Sequence, residues 1–202
     1  MRAGDEGGAM TARDDGGAMS PGVGWSLAVR TLSPDATREL AARLARVARR
    51  GDVIVLQGPL GAGKTTFAQG FARGLGVEGP VTSPTFTLVR QYPCALGQLV
   101  HADVYRLDHL AEVADLGLAD LVEDGVALVE WGDVARAVLA TVTWTVSIAR
   151  PTGVGGAPAP GASGPEGRSA AWEGAGEEDR DITVSGGDET RRDEVAAALG
   201  AR

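Results

Sequence analysis

The chain has 202 residues, of which 44% are hydrophobic, and its formal net charge is -8 at pH 7. This composition is sufficient for a hydrophobic core, and the negative charge argues against a protein that coats nucleic acid by bulk electrostatics. Cys94 is the only cysteine, which excludes an internal disulfide, and no apolar run approaches the ~20 residues that a membrane helix needs. These features predict a soluble cytoplasmic protein with one compact α/β domain.

The first 24 residues are rich in Gly, Asp, Ala and Met and show no hydrophobic periodicity. The run Asp5-Glu6-Gly7-Gly8-Ala9-Met10 nearly recurs at residues 14–19. Such composition predicts a disordered tail over residues 1–24. The tail lacks the basic and apolar regions of a signal peptide, so it is left out of the predicted fold.

The folded part is predicted to begin with a strand over residues 25–31, where polar and apolar residues alternate. Ser33 as N-cap and Pro34 at the first helical position then predict a helix that runs to about Arg50. The β-branched, wholly apolar run at residues 53–56 is typical of a buried parallel strand.

The segment Gly58-Pro59-Leu60-Gly61-Ala62-Gly63-Lys64-Thr65 matches in full the phosphate-loop pattern G-x-x-x-x-G-K-[ST]. It lies between the strand and a predicted helix over residues 65–75, an order that a chance glycine-rich turn would lack. The glycines let backbone N–H groups point at phosphate oxygens, and the helix adds its positive end. Lys64 is expected to reach the β- and γ-phosphates, Thr65 to offer its hydroxyl to Mg²⁺, and Thr66 to touch the α-phosphate.

The motif Ser83-Pro84-Thr85 lies ahead of a predicted strand over residues 86–92. Its proline forces a non-helical bend, and the bend presents two hydroxyl groups. It is either an ordinary turn or a switch loop that senses a γ-phosphate, and the spacing alone favours the turn.

Two acidic residues are placed at strand ends. Asp103 lies near the end of a predicted strand over residues 99–107, and the apolar run 126–129 ends abruptly in Glu130. In a phosphate-loop protein two carboxylates are expected at the C-terminal ends of adjacent strands. One would bind Mg²⁺, and the other would orient water or support the switch. With this loop upstream, metal binding is favoured over two merely solvent-exposed acids.

The rest of the chain alternates between regular and low-complexity segments. Residues 151–179 consist largely of Gly, Ala, Pro and Ser and are predicted to be an insertion between two antiparallel strands. His101 and His109 have no partner His or Cys at metal-ligand spacing and are interpreted as structural or surface residues. The remaining elements are predicted as acidic helices at 110–122, broken near Gly117, a helix at 133–139, strands at 143–149 and 181–185, and a last helix at 189–199.

This order of elements predicts an α/β fold with a P-loop NTPase-like sheet. The sheet is expected to be mostly parallel with antiparallel edge strands and to carry helices on both faces. Residues 25–202 are predicted to form a single domain that the insertion at 151–179 interrupts.

Four motifs in fixed order closely resemble the bacterial TsaE (YjeE) family. The resemblance extends from about Trp25 to Ala149 and resumes at Arg180, and one departure is Pro59, where the family usually has an acid. The motifs are Gly58-Pro59-Leu60-Gly61-Ala62-Gly63-Lys64-Thr65-Thr66, Ser83-Pro84-Thr85-Phe86, His101-Ala102-Asp103-Val104-Tyr105-Arg106-Leu107 and Leu128-Val129-Glu130-Trp131.

The resemblance implies an ATPase that is needed to make threonylcarbamoyladenosine in tRNA. In the family, ATP and Mg²⁺ are the cofactors, and the protein docks on a complex of TsaD and TsaB, so that it meets tRNA only indirectly and no membrane. ATP hydrolysis is thought to reset that complex between turnovers, and the isolated protein is expected to be slow. The implied catalytic residues are Lys64, Asp103 and Glu130; the implied nucleotide-binding residues are Leu60, Gly61, Ala62, Gly63, Lys64, Thr65, Thr66 and Thr85, with Thr37 and Arg180 near the adenine; the implied metal ligands are Thr65 and Glu130.

Two alternative functions remain open from the sequence. A small-molecule kinase would carry the same loop, but it usually adds an arginine-rich lid, and between Glu130 and Arg150 the only arginine is Arg136. An ATP-dependent assembly switch would bind ATP in the same way, with hydrolysis incidental to its role.

Overall fold

The computed structural model describes residues 24–105, 107, 116–131, 142–151 and 176–200. The predicted tail up to residue 23, the predicted helix at 133–139 and residues 152–175 of the predicted insertion lie outside these ranges. The domain boundaries inferred from the sequence therefore stay predictions.

The described residues form one seven-stranded sheet with the strand order β1-β7-β6-β2-β5-β4-β3. The strands are β1 (Trp25–Thr31), β2 (Val53–Gln57), β3 (Val89–Cys94), β4 (Gly97–Asp103), β5 (Gly125–Glu130), β6 (Trp144–Ala149) and β7 (Arg180–Gly186). The helices of the described part are α1 (Pro34–Ala45), α2 (Lys64–Gly74), α3 (Leu118–Glu123) and α4 (Glu189–Leu199).

The centre of the sheet is parallel and its outer strands are antiparallel. β2 pairs in parallel with both β5 and β6, and β4 pairs in parallel with β5. β3 pairs antiparallel with β4, while β7 pairs antiparallel with β6 and with β1. The predicted fold class is confirmed, and the all-apolar run of β2 is explained by its position between two neighbours under helices.

Side chains of the central strands alternate between two cores on opposite faces of the sheet. Ile54 and Leu56 pack with residues of α1, α2 and α4, whereas Val53 packs with Leu118 and Val122 of α3. This alternation follows from the two-residue repeat of a strand. Helices therefore cover both faces, as predicted, and α2 lies on the first face, directly after the loop that follows β2.

Helix α1 begins where the sequence predicts and ends earlier. Ser33 Oγ accepts a hydrogen bond from the N–H of Ala36 at 3.1 Å, so Ser33 is the N-cap. The helix ends at Ala45 rather than near Arg50, because the chain turns at residues 46–51 and the Gly51 N–H bonds the carbonyl of Gly125 at 2.7 Å.

Strands β3 and β4 are shifted from their predicted positions. β3 begins at Val89 instead of residue 86, because the N–H groups of Thr87 and Leu88 both bond the carbonyl of Pro84, closing a turn. β4 begins at Gly97 and ends at Asp103, so the acid is its last residue. No helix of the described residues is long and apolar enough to cross a membrane.

Candidate functional site

The candidate site lies at the C-terminal ends of three neighbouring parallel strands. The loop at residues 58–63 follows β2, Asp103 ends β4 and Glu130 ends β5. Asp103 and Glu130 are partners in the register of β4 and β5, and Glu130 also pairs with Leu56 of β2. Parallel pairing thus brings two acids that are 27 positions apart in the chain next to the loop.

A cavity of about 300 Å³ opens between these strand ends and the loop. Most residues that the sequence predicts for the site line this cavity, together with Ser83 and Trp131. The predicted residues on its wall are Leu60, Gly61, Gly63, Lys64, Thr65, Thr66, Thr85, Asp103, Glu130 and Arg180.

The loop has the backbone of an anion-binding cradle. Gly61 and Gly63 have φ values of 75° and 108°, which L side chains rarely adopt, and Gly63 caps α2 without a side-chain hydrogen bond. Gly63 has no side chain that could cap the first N–H groups of α2. These N–H groups form the positive end of the helix dipole, which favours an anion at this position. At Gly58, a Cβ would lie 2.2 Å from the carbonyl oxygen of Ile148, so this position also requires glycine.

Lys64 is held inside the loop by the loop's own carbonyl groups. It is 5% exposed, and its Nζ donates to the carbonyls of Gly58 at 2.8 Å and Pro59 at 3.1 Å. The same Nζ lies 3.8 Å from the ring centroid of Trp131. Burial lowers the pKa of Lys64 from its ordinary 10.5, while the charges of Glu130 and Asp103 act in the opposite direction.

Thr65 and Glu130 meet across the floor of the cavity. Thr65 Oγ1 lies 3.4 Å from Glu130 Oε1, and Glu130 is 3% exposed. A hydroxyl and a carboxylate are hard oxygen donors, and Mg²⁺ in nucleotide sites takes only one or two protein ligands beside phosphate and water. No group of three or more His, Cys, Asp or Glu that could hold a metal occurs among the described residues. The pair therefore fits Mg²⁺ bound together with a nucleotide.

The segment at residues 83–85, which leads into the turn closed by the Pro84 carbonyl, is hydrogen-bonded to Asp103. Thr85 Oγ1 donates to Asp103 Oδ2 at 2.6 Å, Ser83 Oγ lies 3.3 Å from the same oxygen, and the two hydroxyls are 2.7 Å apart. The other carboxylate oxygen accepts from the N–H of Tyr105 at 3.0 Å. The bend at Pro84 thus opens the turn that its carbonyl closes with Thr87 and Leu88, and the two hydroxyls beside it contact one of the two acids.

Two arginines that flank the predicted insertion reach the loop. Arg180 Nε donates to the carbonyl of Ala62 at 2.7 Å. Arg150 Nη2 lies 3.6 Å from the point where a Cβ on Gly61 would stand. Because β6 and β7 are antiparallel neighbours, the end of one and the start of the other lie side by side. None of the sequence motifs includes Arg150.

Thr37 and Ala62 are the predicted binding residues that do not line the cavity. Thr37 is 1% exposed, and its hydroxyl lies 2.7 Å from that of Thr31 and bonds the Ser33 carbonyl. Ala62 is buried, and the loop presents its backbone rather than its side chain. Nothing in this arrangement supports a contact of Thr37 with a base.

His101, which its lack of a partner at metal-ligand spacing marks as a structural or surface residue, contacts a site residue. It is fully buried, and its Nε2 lies 3.0 Å from Glu130 Oε1. The available signal was strand alternation, since residues 101 and 103 must share one face of β4. Without the β4–β5 register, however, nothing in the sequence placed Glu130 beside that face.

The chain matches one family model and several relatives. The model described as "Threonylcarbamoyl adenosine biosynthesis protein TsaE" matches residues 31–154. Three relatives carry the name "tRNA threonylcarbamoyladenosine biosynthesis protein TsaE". The relative from Bacillus subtilis is 48% identical to this chain over 50% of its length. The relative from Streptomyces coelicolor is 52% identical over 48% of this chain, and the relative from Treponema pallidum is 45% identical over 51% of this chain.

These alignments span 64%, 67% and 76%, respectively, of the three relatives' own lengths. A crystal structure of Bacillus subtilis YdiB superposes with a TM-score of 0.61 and 31% identity, covering 88% of this chain and 95% of that one. The family match contains the loop, Asp103 and Glu130, whereas Arg180 lies beyond its end.

Proposed function

Because the chain belongs to the TsaE family, we propose that it is a Mg²⁺-dependent ATPase that supports the biosynthesis of threonylcarbamoyladenosine in tRNA. The named relatives and the family description support a role in threonylcarbamoyladenosine biosynthesis, and the residues around the cavity support ATP hydrolysis. The observation that carries the proposal is the meeting of Lys64, Thr65, Asp103 and Glu130 around one cavity at the strand ends. This is the set of groups that phosphoryl transfer to water requires.

Lys64 and the loop amides are the nucleotide-binding groups in this proposal. The β- and γ-phosphates of ATP replace the carbonyls of Gly58 and Pro59 as partners of Lys64 Nζ. Phosphate oxygens carry full negative charge and form the stronger charge-assisted hydrogen bonds, so the exchange is favourable. Arg180 lies at the cavity wall and holds the loop through the Ala62 carbonyl.

Thr65 and Glu130 are the proposed ligands of the Mg²⁺ that accompanies ATP. The cation would neutralise charge on the β- and γ-phosphate oxygens. Asp103 lies one strand away from Glu130 and is the proposed group that orients the attacking water or anchors the turn at residues 83–85. Thr85, which donates a hydrogen bond to Asp103, is the group whose contact with the γ-phosphate would order the turn.

Docking on TsaD and TsaB is proposed to complete the site in the cytoplasm, and tRNA is met only through that complex. Leu60 on the cavity wall and Phe86, next to Thr85, are each 86% exposed. Large exposed apolar side chains beside a site favour a protein partner over bulk solvent. A site that completes itself only with its partner would hydrolyse ATP slowly alone, which avoids futile turnover.

The test is analysis of tRNA nucleosides after depletion of this protein. The wild type should restore threonylcarbamoyladenosine, and Lys64→Ala should not. Phosphate release is then measured with purified protein, with and without TsaD and TsaB. This measurement tests ATP hydrolysis separately from the role of the protein in tRNA modification. Phosphate release with no acceptor present contradicts a kinase, and full rescue by a variant that binds but does not hydrolyse ATP contradicts a need for hydrolysis.

A further inference from the structure

His101 lies in the middle of the site without reaching the cavity. It is on the face of β4 that also carries Leu99 and Asp103, under α2, and its exposed fraction is 0%. Its side chain is fully enclosed by protein and forms no part of the cavity wall described above. Whatever His101 does for the reaction, it does through another residue.

That residue is Glu130. His101 pairs with Leu128 in the β4–β5 register, so Glu130 is its diagonal neighbour on the same face, and the Nε2 to Oε1 distance is 3.0 Å. The other ring nitrogen, Nδ1, is buried and has no hydrogen-bond partner among the described residues. An unpaired N–H costs more there than an unpaired lone pair, so the geometry favours Nε2 as the nitrogen that carries the hydrogen and donates to the carboxylate.

In the described part of the chain, the hydrogen bonds to the Glu130 carboxylate reach only one of its two oxygens. Both the His101 contact and the Thr65 contact end on Oε1. The last torsion of a glutamate is broad and twofold, so an unrestrained carboxylate would rotate freely at the strand end. A bond from a fully buried donor fixes the plane of the carboxylate.

We propose that His101 is a positioning residue that locks the Glu130 carboxylate in the orientation in which it receives the nucleotide-bound Mg²⁺. The inference rests on the proposed function. Mg²⁺ demands near-ideal octahedral geometry, so a carboxylate of fixed plane binds it better than a rotating one. A residue needed only for packing at this buried position would be apolar, because a buried polar ring without its partner costs free energy.

Three substitutions at this position separate orientation from packing. His101→Gln keeps an amide donor at the reach of Nε2, His101→Asn places its amide near the Nδ1 position and too short for Glu130, and His101→Leu removes the donor while retaining bulk. The matched control is Leu99→Val, two residues away on the same buried face and without polar contact to Glu130. Thermal unfolding shows which variants are folded.

The readout is the binding of ATP at increasing Mg²⁺, followed by calorimetry and by the fluorescence of Trp131, which lines the cavity. We expect ATP affinity in excess chelator to stay at the wild-type value in all variants. In His101→Leu and His101→Asn the Mg²⁺ concentration at half effect should rise about 10- to 100-fold, the usual effect of losing a partner of a metal ligand. His101→Gln should stay close to wild type, and so should Leu99→Val.

Wild-type Mg²⁺ dependence in His101→Asn, or an equal shift in Leu99→Val, overturns the proposal. If His101→Leu does not fold, the pair of Gln and Asn still decides, because both are polar and only one reaches Glu130. Failure of wild-type protein to bind ATP at all would instead contradict the proposed function. The two failures are therefore distinguishable.

Discussion

The hydroxyl of Thr85 donates to Asp103 Oδ2 at 2.6 Å, joining the turn after α2 to the end of β4. Asp103 is 3% exposed, so this hydrogen bond to a charged acceptor is shielded from bulk water. A γ-phosphate bound in the cavity would meet the hydroxyl and the carboxylate together, since both line its wall. The turn and the acid are therefore expected to act as one unit.

Thr85→Val should lower the rate of ATP hydrolysis roughly 10- to 100-fold, because a hydrogen bond to a charged group is worth about 1.5–3 kcal/mol and each 1.4 kcal/mol changes a rate about tenfold. ATP affinity should change little, since Lys64 and the loop are untouched. The matched control is Thr87→Val, whose hydroxyl contacts the Pro84 carbonyl at 3.4 Å and not Asp103.

Asp103→Ala should retain ATP affinity but fail to restore threonylcarbamoyladenosine in cells depleted of the wild-type protein. Full restoration of the modified nucleoside contradicts the proposed role of Asp103.

Lys64→Met should reduce ATP affinity at least ~10-fold, because it removes charge-assisted hydrogen bonds to the phosphates. The stabilisation of about 2.7 kcal/mol that ATP gives the wild type at 100 times its Kd should fall to about 1.4 kcal/mol or less in thermal unfolding curves at the same ATP concentration. Unchanged ATP affinity contradicts the assignment of the loop.

The stability difference between these two proteins should depend on pH in a defined direction. The pKa of Lys64 is below 10.5 in the folded state, so the unfolded chain holds this proton to higher pH. The cost of burying the charge is fully present below the folded pKa and is relieved as the pH rises through it towards 10.5. Wild-type stability relative to Lys64→Met should therefore rise with pH in that window, and a fall contradicts it.

Glu130→Gln should raise the Mg²⁺ requirement at least ~10-fold and slow hydrolysis with it, since the charge that faces the cation is removed while the shape is kept. β5 should pack as before. The control is Glu123→Gln, which removes the same charge from the exposed end of α3, away from the cavity. A Mg²⁺ titration of ATP binding and turnover gives both values, and a wild-type curve in Glu130→Gln would refute the metal assignment.

Arg180→Ala should weaken ATP binding several-fold, because it removes the donor that holds the Ala62 carbonyl and a cation from the cavity wall. Thr37→Val should leave ATP affinity unchanged and lower thermal stability, because the buried hydroxyl pair with Thr31 is lost. Calorimetric titration of both variants with ATP checks this contrast. A large loss of affinity in Thr37→Val would support the base-binding role that the family resemblance implies and contradict this prediction.

Arg191→Met should lower the free energy of unfolding by about 3 kcal/mol, because it leaves buried Asp52 without its ion-pair partner. Arg191 also bonds the Val47 carbonyl at 2.7 Å, which ties α4 to the chain after α1. A protein of this size should lose roughly 6–12 °C in Tm. Arg192→Met is the control, since its ion pair with Asp193 is exposed and should be worth at most about 1 kcal/mol; equal losses would contradict the difference.

Local sequence patterns predicted the features that depend on a few neighbouring residues. The glycines and Lys64 of the loop, the Ser33 cap and the α4 helix at Glu189–Leu199 are all in this class. Their physical causes are local: backbone freedom, capping hydrogen bonds and helical hydrogen bonding between residues four apart. The start of β3 was predicted wrongly, because the turn closed by the Pro84 carbonyl competes with the strand that the residue types favour.

The tertiary structure alone decided which of these features meet. The β4–β5 register places His101 beside Glu130, and the antiparallel pairing of β6 and β7 brings Arg150 and Arg180 to the loop. Strand order and register are set by hydrogen bonds and packing between segments far apart in the chain, so side-chain alternation fixes a residue's face but not its neighbour across the sheet. Thr37 shows the same limit: the sequence identified a threonine in the first helix, and only the packed structure showed that Thr31 occupies its hydroxyl.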